Sequence, residues 1–289
     1  MSTITLEPKA RPDPTILDAA QRLFRDLSAS LGSGESGLAE RAGLLKKIQE
    51  LGFDQMLEDP ADKQAEWPDA ASLLREQARY ATPVDMATLL ILRQPELSIM
   101  PPPVPYQAVS AQWTSTLTET QKRGLNLARC LQACGAMQAA LDLTMQYVQD
   151  RKQFGRPLAK FQAVQHELAV AAAETAAATA MTDLCLAAVS QSGLLSTRVE
   201  PLLQAASIVM VPAMTCVYRV SHQMHGAIGF TREYSLHQHT LNLLRWRDQI
   251  GHLQTSPISC SRALGKSVFA STNLWTFITD TMKDTGDSV

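Results

Sequence analysis

The amino-acid sequence predicts an all-α fold, because helical periodicity recurs along most of the chain and no segment alternates convincingly between apolar and polar residues. Hydrophobic residues make up 45% of the 289 residues, enough for one large domain or two with a sizeable core. A proline-rich break separates two helical regions. The sequence therefore predicts a small N-terminal helical domain (1–94), a linker (95–117) and a C-terminal bundle of four or five antiparallel helices (118–289).

The N-terminal region shows four helical patterns separated by turn residues. A Gly/Ser-rich loop at 32–37 divides the first two, and Gly52 is a natural stop for the second. After a polar segment, Pro68 suits the first turn of a third helix. The predicted helices cover 13–30, 37–51, 68–78 and 83–93.

The C-terminal region begins with Thr118, followed three residues later by Gln121, a spacing typical of a capping box. The second helix of this region is rich in alanine between 169 and 180, which allows neighbouring helices to approach closely. Pro212 predicts a kink in the third. The predicted helices cover 118–150, 161–191, 200–224, 233–248 and 258–282.

Composition excludes several classes of function. The net charge is −2 and no basic run contains interleaved aromatics, so nucleic acid is not an expected partner. Polar residues break the apolar stretches before the roughly 18 residues needed to span a bilayer, and no secretory signal is visible. The five cysteines lack close pairing, and Cys130 and Cys134 look like core residues. We expect a cytoplasmic protein with reduced thiols.

Four histidines near the end of the third long helix invite a metal hypothesis. His222 and His225 are three residues apart, and His237 and His239 follow shortly after. No cysteine, aspartate or glutamate nearby completes a familiar ligand spacing, so no metal site is predicted.

Two motifs carry the functional signal. Residues 151–162 read Arg-Lys-Gln-Phe-Gly-Arg-Pro-Leu-Ala-Lys-Phe-Gln at a corner between two long helices, and 223–231 read Gln-Met-His-Gly-Ala-Ile-Gly-Phe-Thr. The first closely resembles the flavin-diphosphate corner of the acyl-CoA dehydrogenase family, and the second resembles that family's other FAD-contacting turn. Together and in this order they are far more specific than a lone glycine motif.

The resemblance implies a set of FAD contacts. Arg151 matches the family position that faces the diphosphate, where a guanidinium can hold two phosphate oxygens. Phe154 is expected to be buried at the corner. Ala227 departs from the usual second glycine of its turn. The positions that match FAD contacts are Arg151, Gln153, Phe154, Leu158, Gln162, Gln223, Gly226 and Ala227.

The resemblance also shows what this chain lacks. Family members place a β-domain between the N-terminal helices and the bundle, and here the linker 95–117 takes its place and is too short for a sheet domain. In family homodimers, the motif residues reach the FAD held mainly by the neighbouring subunit. The chain thus retains a half-site donated to a partner and lacks the half that holds its own flavin ring.

The family's catalytic glutamate is missing from both places where members carry it. Counted without gaps, its positions fall on Ile250 and on Leu125, and neither side chain can remove a proton. The family arginine next to the second position falls on Asn126. Small insertions or deletions would bring Arg123 or Arg129 into register there. The best surviving carboxylate is Asp248.

The leading hypothesis is an acyl-CoA dehydrogenase-like subunit that donates its FAD-diphosphate half-site to a full-length catalytic partner acting on acyl thioesters. The alternatives are a stand-alone FAD enzyme with a diverged base, a flavin-free scaffold, and a flavin-free enzyme that reuses the acyl-thioester cleft. The expected assembly is a hetero-oligomer, or a homodimer through the C-terminal bundle.

Overall fold

The computed structural model describes residues 12–31, 38–61, 66–93 and 116–253, and within them it is almost entirely helical. The all-α prediction is confirmed. The predicted loop at 32–37, the helix at 258–282 and most of the linker lie outside the described residues. The helices are α1 Pro14–Leu31, α2 Leu38–Glu50, α3 Trp67–Arg79, α4 Met86–Leu92, α5 Glu119–Asp150, α6 Gln162–Ser192, α7 Val199–His225 and α8 Leu236–Leu253.

The predicted helix starts are largely borne out by local chemistry. Thr118 and Gln121 form the expected capping box: the Gln121 amide donates to Thr118 Oγ1 at 3.2 Å and the Thr118 amide donates to Gln121 Oε1 at 3.0 Å. Pro68 lies in the first turn of α3, and Gly52 follows α2 with a φ of 72°. These signals were readable because each depends on residues close in sequence.

One local feature was not predicted. The sequence showed no strand pattern, yet β1 (Lys152–Gln153) and β2 (Arg156–Pro157) form a small antiparallel hairpin between α5 and α6. Two-residue strands are too short to show a period, so pattern reasoning could not find them.

Helices α5 to α8 form an antiparallel four-helix bundle with two apolar core clusters. One cluster joins the first half of α5 and the adjoining ends of α6 and α7 to helices α1 to α4, and the other lies deeper within the bundle. Cys130 and Cys134 are buried, as expected. On α6, Ala171 and Ala178 face the core, whereas six other alanines of the run form an exposed face: Ala169, Ala172, Ala173, Ala176, Ala177 and Ala180.

Helix α3 crosses α5 at very close range. A Cβ on Gly135 would lie 2.1 Å from the Arg75 carbonyl oxygen, so only glycine fits at this crossing. Arg75 forms an ion pair with Asp183 of α6, and Arg79 pairs with Asp142 of α5 at 3.5 Å. We call this contact of α3 and α4 with the bundle the N-terminal seam.

A buried ion pair completes the seam. Arg129 of α5, whose side chain is 1% exposed, donates to both carboxylate oxygens of Asp85 at 2.5 and 2.6 Å. The same carboxylate caps α4 by accepting from the Thr88 amide at 3.3 Å and the Thr88 hydroxyl at 2.7 Å. Arg129 also donates to Gln132 at 2.7 Å. A buried guanidinium needs several hydrogen bonds of this kind to offset the hydration that it loses.

The segment Val199–Phe230 is long and apolar enough to cross a bilayer by length and composition alone, contrary to the expectation from the sequence. In the structure, Leu203, Met210 and Val217 of this segment are buried in the bundle. A core helix of a water-soluble protein meets the same criteria, so this property does not assign a membrane location.

Candidate functional site

The two sequence motifs meet at one end of the bundle. The C-terminal ends of α5 and α7 lie there, together with the N-terminal ends of α6 and α8. The ring of Tyr147 in the last turn of α5 stacks on that of His225, the last residue of α7, with centroids 4.3 Å apart. Because Arg151 follows α5 and Gly226 follows α7, this stack joins the two motifs. We call the segments 151–162 and 223–231 together the corner end.

A strained turn forms the tip of the hairpin. Phe154 and Gly155 both have positive φ angles, 52° and 80°, the pattern of a type I′ two-residue turn. Glycine adopts this geometry freely, but a bulky side chain at positive φ is an outlier. Phe154 is also 89% exposed, so the expectation that it is buried is wrong. A large aromatic side chain held at positive φ and left exposed is a candidate for contact with a ligand or a partner.

The hairpin is anchored to the start of α6. The Leu158 amide donates to the Arg151 carbonyl at 2.9 Å, which closes the corner. The Arg156 guanidinium lies 4.2 Å from the centroid of the Phe161 ring, a cation–π contact. The Phe154 ring meets Phe161 edge-on at 6.2 Å. These contacts hold the exposed side chains in place before any ligand binds.

The corner residues that match FAD contacts lie at the surface. Arg151, Gln153 and Gln162 are exposed and Leu158 is half-buried. The Arg151 side chain makes no hydrogen bond or ion pair with any described residue. Its position at the C-terminus of α5 complements the helix dipole, which by itself is a sufficient structural role. Its open guanidinium also leaves five donors available for an anion.

The second turn brings backbone to the surface. Gly226 has φ 63° and ψ −139°, a conformation open essentially to glycine, and a Cβ placed there would meet nothing within 4 Å. Ala227 is exposed, so its methyl group stands where the family glycine would leave more room. Gly229 packs inward against His225 and cannot carry a side chain without displacement.

Gln223 is exposed and already oriented. Its Oε1 accepts from Arg219 at 3.2 Å, and Arg219 is held by Glu167 of α6 at 2.8 Å. These contacts leave the side-chain NH₂ group of Gln223 free to donate to an acceptor outside the protein.

Behind the second turn lie two buried imidazoles. His222 Nε2 contacts Thr240 Oγ1 at 2.9 Å, and His225 Nδ1 donates to the Ser221 carbonyl at 2.8 Å. Burial lowers the pKa of His222 to about 4 and also lowers the pKa of His225. Both rings are therefore neutral at pH 7 and serve as packing groups. Within the described ranges, no group of three or more potential metal ligands occurs.

The positions where the family carries its base are buried and apolar. Leu125 and Ile250 are 0% exposed. Asn126 is buried, and its Oδ1 accepts from Ser207 at 3.1 Å. Arg123 is bound to Glu119 and Glu200, so it is committed to structural ion pairs. None of these side chains offers a proton acceptor to a substrate.

Asp248 lies on the last third of α8, with its side chain 25% exposed. Burial raises its pKa above the ordinary value, partly opposed by His252, and Arg247 is 3.4 Å away. Asp248 lies about 18 Å along the axis of α8 from Leu236, the first residue of that helix. Leu236 is at the corner end.

Sequence reasoning missed three side chains that shape the corner end. Tyr147 stacks behind Arg151, Arg156 is held over Phe161, and Phe230 is 63% exposed while stacked on His222 at 4.0 Å. Phe230 stood inside the second motif and Arg156 inside the first, so position alone could have flagged both. The Tyr147–His225 stack joins residues about 80 positions apart and left no signal in one sequence.

Comparison with known proteins supports the resemblance. Residues 118–246 match the family model of the acyl-CoA dehydrogenase C-terminal domain. The bundle is therefore similar to that domain. Probable acyl-CoA dehydrogenase YngJ of Bacillus subtilis is 34% identical over 107 residues, 36% of this chain and 26% of YngJ. Acyl-CoA dehydrogenase IpdE2 of Mycobacterium tuberculosis is 32% identical over 104 residues, 36% of this chain and 30% of IpdE2. The chain thus spans a quarter to a third of these relatives.

Solved structures extend the acyl-CoA dehydrogenase likeness to the N-terminal helices. A chain of the ChsE4-ChsE5 complex from Mycobacterium tuberculosis matches with a TM-score of 0.65 and 12% identity, covering 90% of this chain and 98% of that one. Butyryl-CoA dehydrogenase from Megasphaera elsdenii matches with a TM-score of 0.59 and 13% identity, covering 88% and 98%. At these identities the likeness shows a shared fold alone. Within the described residues, the only sheet is the two-stranded hairpin, so they contain no acyl-CoA dehydrogenase β-domain.

Proposed function

We propose that this chain is a subunit of a heteromeric acyl-CoA dehydrogenase and donates an FAD-diphosphate half-site to a catalytic partner. The observation that carries the proposal is a contrast between two places. Arg151 stands exposed and unpaired beside a strained turn, while Leu125 and Ile250, the positions of the family base, are apolar and buried. A partner can therefore reach the guanidinium of Arg151. At the two positions that match the family base, no side chain can remove a proton.

The residues present fit the diphosphate of FAD. The guanidinium of Arg151 supplies charge and paired donors, and Gln223 supplies an oriented amide. Gly226 allows close approach of the backbone, since nothing lies within 4 Å of the place where a Cβ would be. Gln153, Phe154, Leu158, Gln162 and Ala227 surround these groups at the corner end.

In this proposal the chain binds and orients but does not carry out the chemical step. When bound, FAD supplies hydride acceptance at its ring. The partner contributes the β-domain that holds the ring, the carboxylate that removes the α-proton of an acyl thioester, and the acyl pocket. Arg151 holds the diphosphate, and the Tyr147–His225 stack fixes the spacing of the two turns.

The assembly is supported by the kind of protein that shares this fold. The ChsE4-ChsE5 complex and a Tcur3481-Tcur3483 steroid ACAD variant, the latter with a TM-score of 0.63 and 18% identity, are each named for two different proteins. In a hetero-oligomer, a partner would supply the β-domain that the described residues do not contain. A homodimer through the exposed alanine face of α6 is the alternative assembly. We place the protein in the cytoplasm, consistent with its thiol cysteines.

Co-expression with a neighbouring acyl-CoA dehydrogenase gene tests the proposal. The chain purified alone is expected to carry little FAD, because its described residues contain no β-domain to hold the ring. The complex is expected to be yellow, to have a native mass larger than either chain, and to dehydrogenate acyl-CoA with an artificial electron acceptor. Near one FAD per chain without any partner would overturn the half-site proposal.

The stand-alone enzyme is distinguished by Asp248. If this carboxylate is the base, Asp248→Asn abolishes turnover. In the half-site proposal, Asp248→Asn leaves turnover of the complex unchanged, since the partner supplies the base.

A further inference from the structure

The corner end carries an unusual set of charges. Four exposed cations lie within ten residues, and we call them the cationic corner: Arg151, Lys152, Arg156 and Lys160. None of the four forms an ion pair with a described residue. The nearest carboxylate in sequence, Asp150, accepts from Gln146 at 2.8 Å instead.

Elsewhere in the chain, arginines are mostly paired, which makes the corner distinctive. Among the described residues, ion pairs of 4 Å or less join seven other arginines to carboxylates: Arg22–Asp18, Arg75–Asp183, Arg79–Asp142, Arg123–Glu200, Arg129–Asp85, Arg219–Glu167 and Arg247–Asp248. The corner is therefore distinctive in gathering four cations without such an ion pair within ten residues of the chain. Unpaired like charges repel one another, so an external partner of opposite sign would stabilise them.

The positive charge of the cationic corner exceeds the charge needed to neutralise one diphosphate. A dinucleotide diphosphate carries two negative charges, whereas the cationic corner carries four positive ones. Arg151 and one further cation would neutralise the diphosphate. Asp150 offsets one of the other two charges, so the corner keeps a net positive charge for another acidic group.

The hairpin register shows which cations face away from the cofactor contacts. Gln153 opposes Arg156, and Lys152 opposes Pro157. Directly opposed residues share a face of an antiparallel pair and adjacent residues alternate. Arg156 therefore shares the face of Gln153, a cofactor-contact position, and Lys152 projects from the opposite face. Lys160 lies beyond β2 in the turn Leu158–Lys160.

We propose that Lys152 and Lys160 dock the chain onto acidic side chains of the partner subunit that flank its FAD-binding surface. This inference rests on the proposed function and goes beyond it by naming the chemistry of the partner surface. Complementary charge of this kind speeds association and fixes register. The exposed Phe154 ring, held by the turn and by Phe161, stands among these cations as a preorganised apolar contact. An apolar centre with a charged rim is the arrangement of a protein interface.

A membrane surface is the competing occupant, since anionic lipids also attract cations. The hairpin favours a protein. A peripheral membrane helix needs an extended apolar face with basic flanks. At this hairpin, Phe154 is the one large exposed apolar side chain.

The test uses the full chain, a poly-glutamate peptide as the acidic probe, and phosphatidylserine-containing vesicles as the competing probe. Lys152→Gln/Lys160→Gln removes the two docking charges. Lys46→Gln/Lys47→Gln removes the same charge from exposed positions on α2 and is the matched control. Peptide binding is expected for the unaltered chain and the control, weaker at high salt, and roughly tenfold weaker for the corner variant.

With the co-expressed partner, the corner variant should associate more slowly at low salt but retain FAD normally once assembled. That outcome separates this proposal from the half-site itself, which depends on Arg151. Equal peptide binding by the corner variant and the α2 control would overturn the docking proposal. Binding to the vesicles without binding to the peptide would also overturn it.

Discussion

Charged groups at the N-terminal seam are buried and paired, whereas those at the corner end are exposed and unpaired. Asp85 and Arg129 share two short bonds beneath α4, and Gly135 lets α3 lie directly against α5. At the other place, Arg151 and its neighbours make no ion pair with a described residue, and Phe154 is held in a strained conformation in solvent. The seam contributes stability to the fold, and the corner end leaves its charged and aromatic side chains open to a ligand or a partner.

The difference follows from what each region must do. A buried charge is tolerated only with its partner in place, so the seam fixes α4 onto the bundle in one arrangement. Exposed donors without a protein partner are hydrated, so leaving them exposed costs little free energy. They form charge-assisted hydrogen bonds when an anion binds. Variants at the two regions should therefore separate stability from binding.

The largest effect is expected from breaking the buried pair. Asp85→Ala leaves Arg129 unpaired and removes the α4 cap, so the free energy of unfolding should fall by about 3–5 kcal/mol. Urea denaturation measures it. Asp18→Ala, which removes an exposed pair with Arg22, is the control and should cost no more than about 0.5 kcal/mol. Equal losses in the two variants would contradict a stabilising seam.

The second prediction concerns pH at the corner end. Burial lowers the pKa of His222 to about 4, below its unfolded value of about 6.5. The unfolded chain then binds the proton first, so stability is complete above about pH 6.5 and falls as pH drops toward 4, by up to about 3 kcal/mol. His222→Asn should reduce this dependence and leave the part due to His225 and His239, whose pKa values burial also lowers. His166→Asn at an exposed site should not reduce it. Identical pH profiles would show that His222 is not the titrating group.

Asp85 affects stability at lower pH than His222 does. Burial alone would raise its pKa, but the Arg129 charge and its hydrogen bonds together hold the pKa below the ordinary value. Its contribution is present above the unfolded pKa of about 3.9 and is lost as pH falls through the folded value.

The third prediction probes the helix crossing. Gly135→Ala places a methyl group 2.1 Å from the Arg75 carbonyl, so α3 must move and stability should fall by about 1–3 kcal/mol. Gly43→Ala in α2 meets nothing within 4 Å and should stabilise the helix by up to about 1 kcal/mol. Thermal unfolding of both variants gives the comparison. A stabilised Gly135→Ala would mean that the crossing is looser than described.

Sequence reasoning recovered the parts of the fold that depend on neighbours in the chain. The Thr118–Gln121 box, the Pro68 start and the Gly52 stop are local, and all three were found. The seam was not found, because Asp85 and Arg129 are 44 residues apart and nothing marks them as a pair in one sequence.

At the candidate site, the motif residues were predicted from resemblance and the structure places them together at one end. The Phe154 burial was predicted wrongly because an aromatic beside glycine and proline suggests a packed corner. The positive φ of Phe154 depends on the hairpin, and strands of two residues are too short to be recognised in a sequence. The role of each residue toward FAD stays a prediction.

The smallest effect is expected from relieving the strained turn. Phe154→Asn introduces a residue that tolerates positive φ, so the chain should gain about 1 kcal/mol of stability while the complex binds FAD less tightly. Phe154→Leu keeps the strain and should show no gain. Chemical denaturation and FAD titration of the same samples measure both quantities. A loss of stability in Phe154→Asn would show that the ring packs rather than strains.

The most direct measurement of the central claim is the FAD dissociation constant of the complex with Arg151→Ala, followed by flavin fluorescence. The account predicts a loss of about 1.5–3 kcal/mol, or roughly ten- to a hundredfold in affinity. Unfolding should be nearly unchanged, since the Arg151 side chain makes no ion pair with a described residue. Arg151→Lys should recover only part of the affinity, because an ammonium cannot make the paired contact. FAD affinity unchanged by Arg151→Ala would contradict the half-site role.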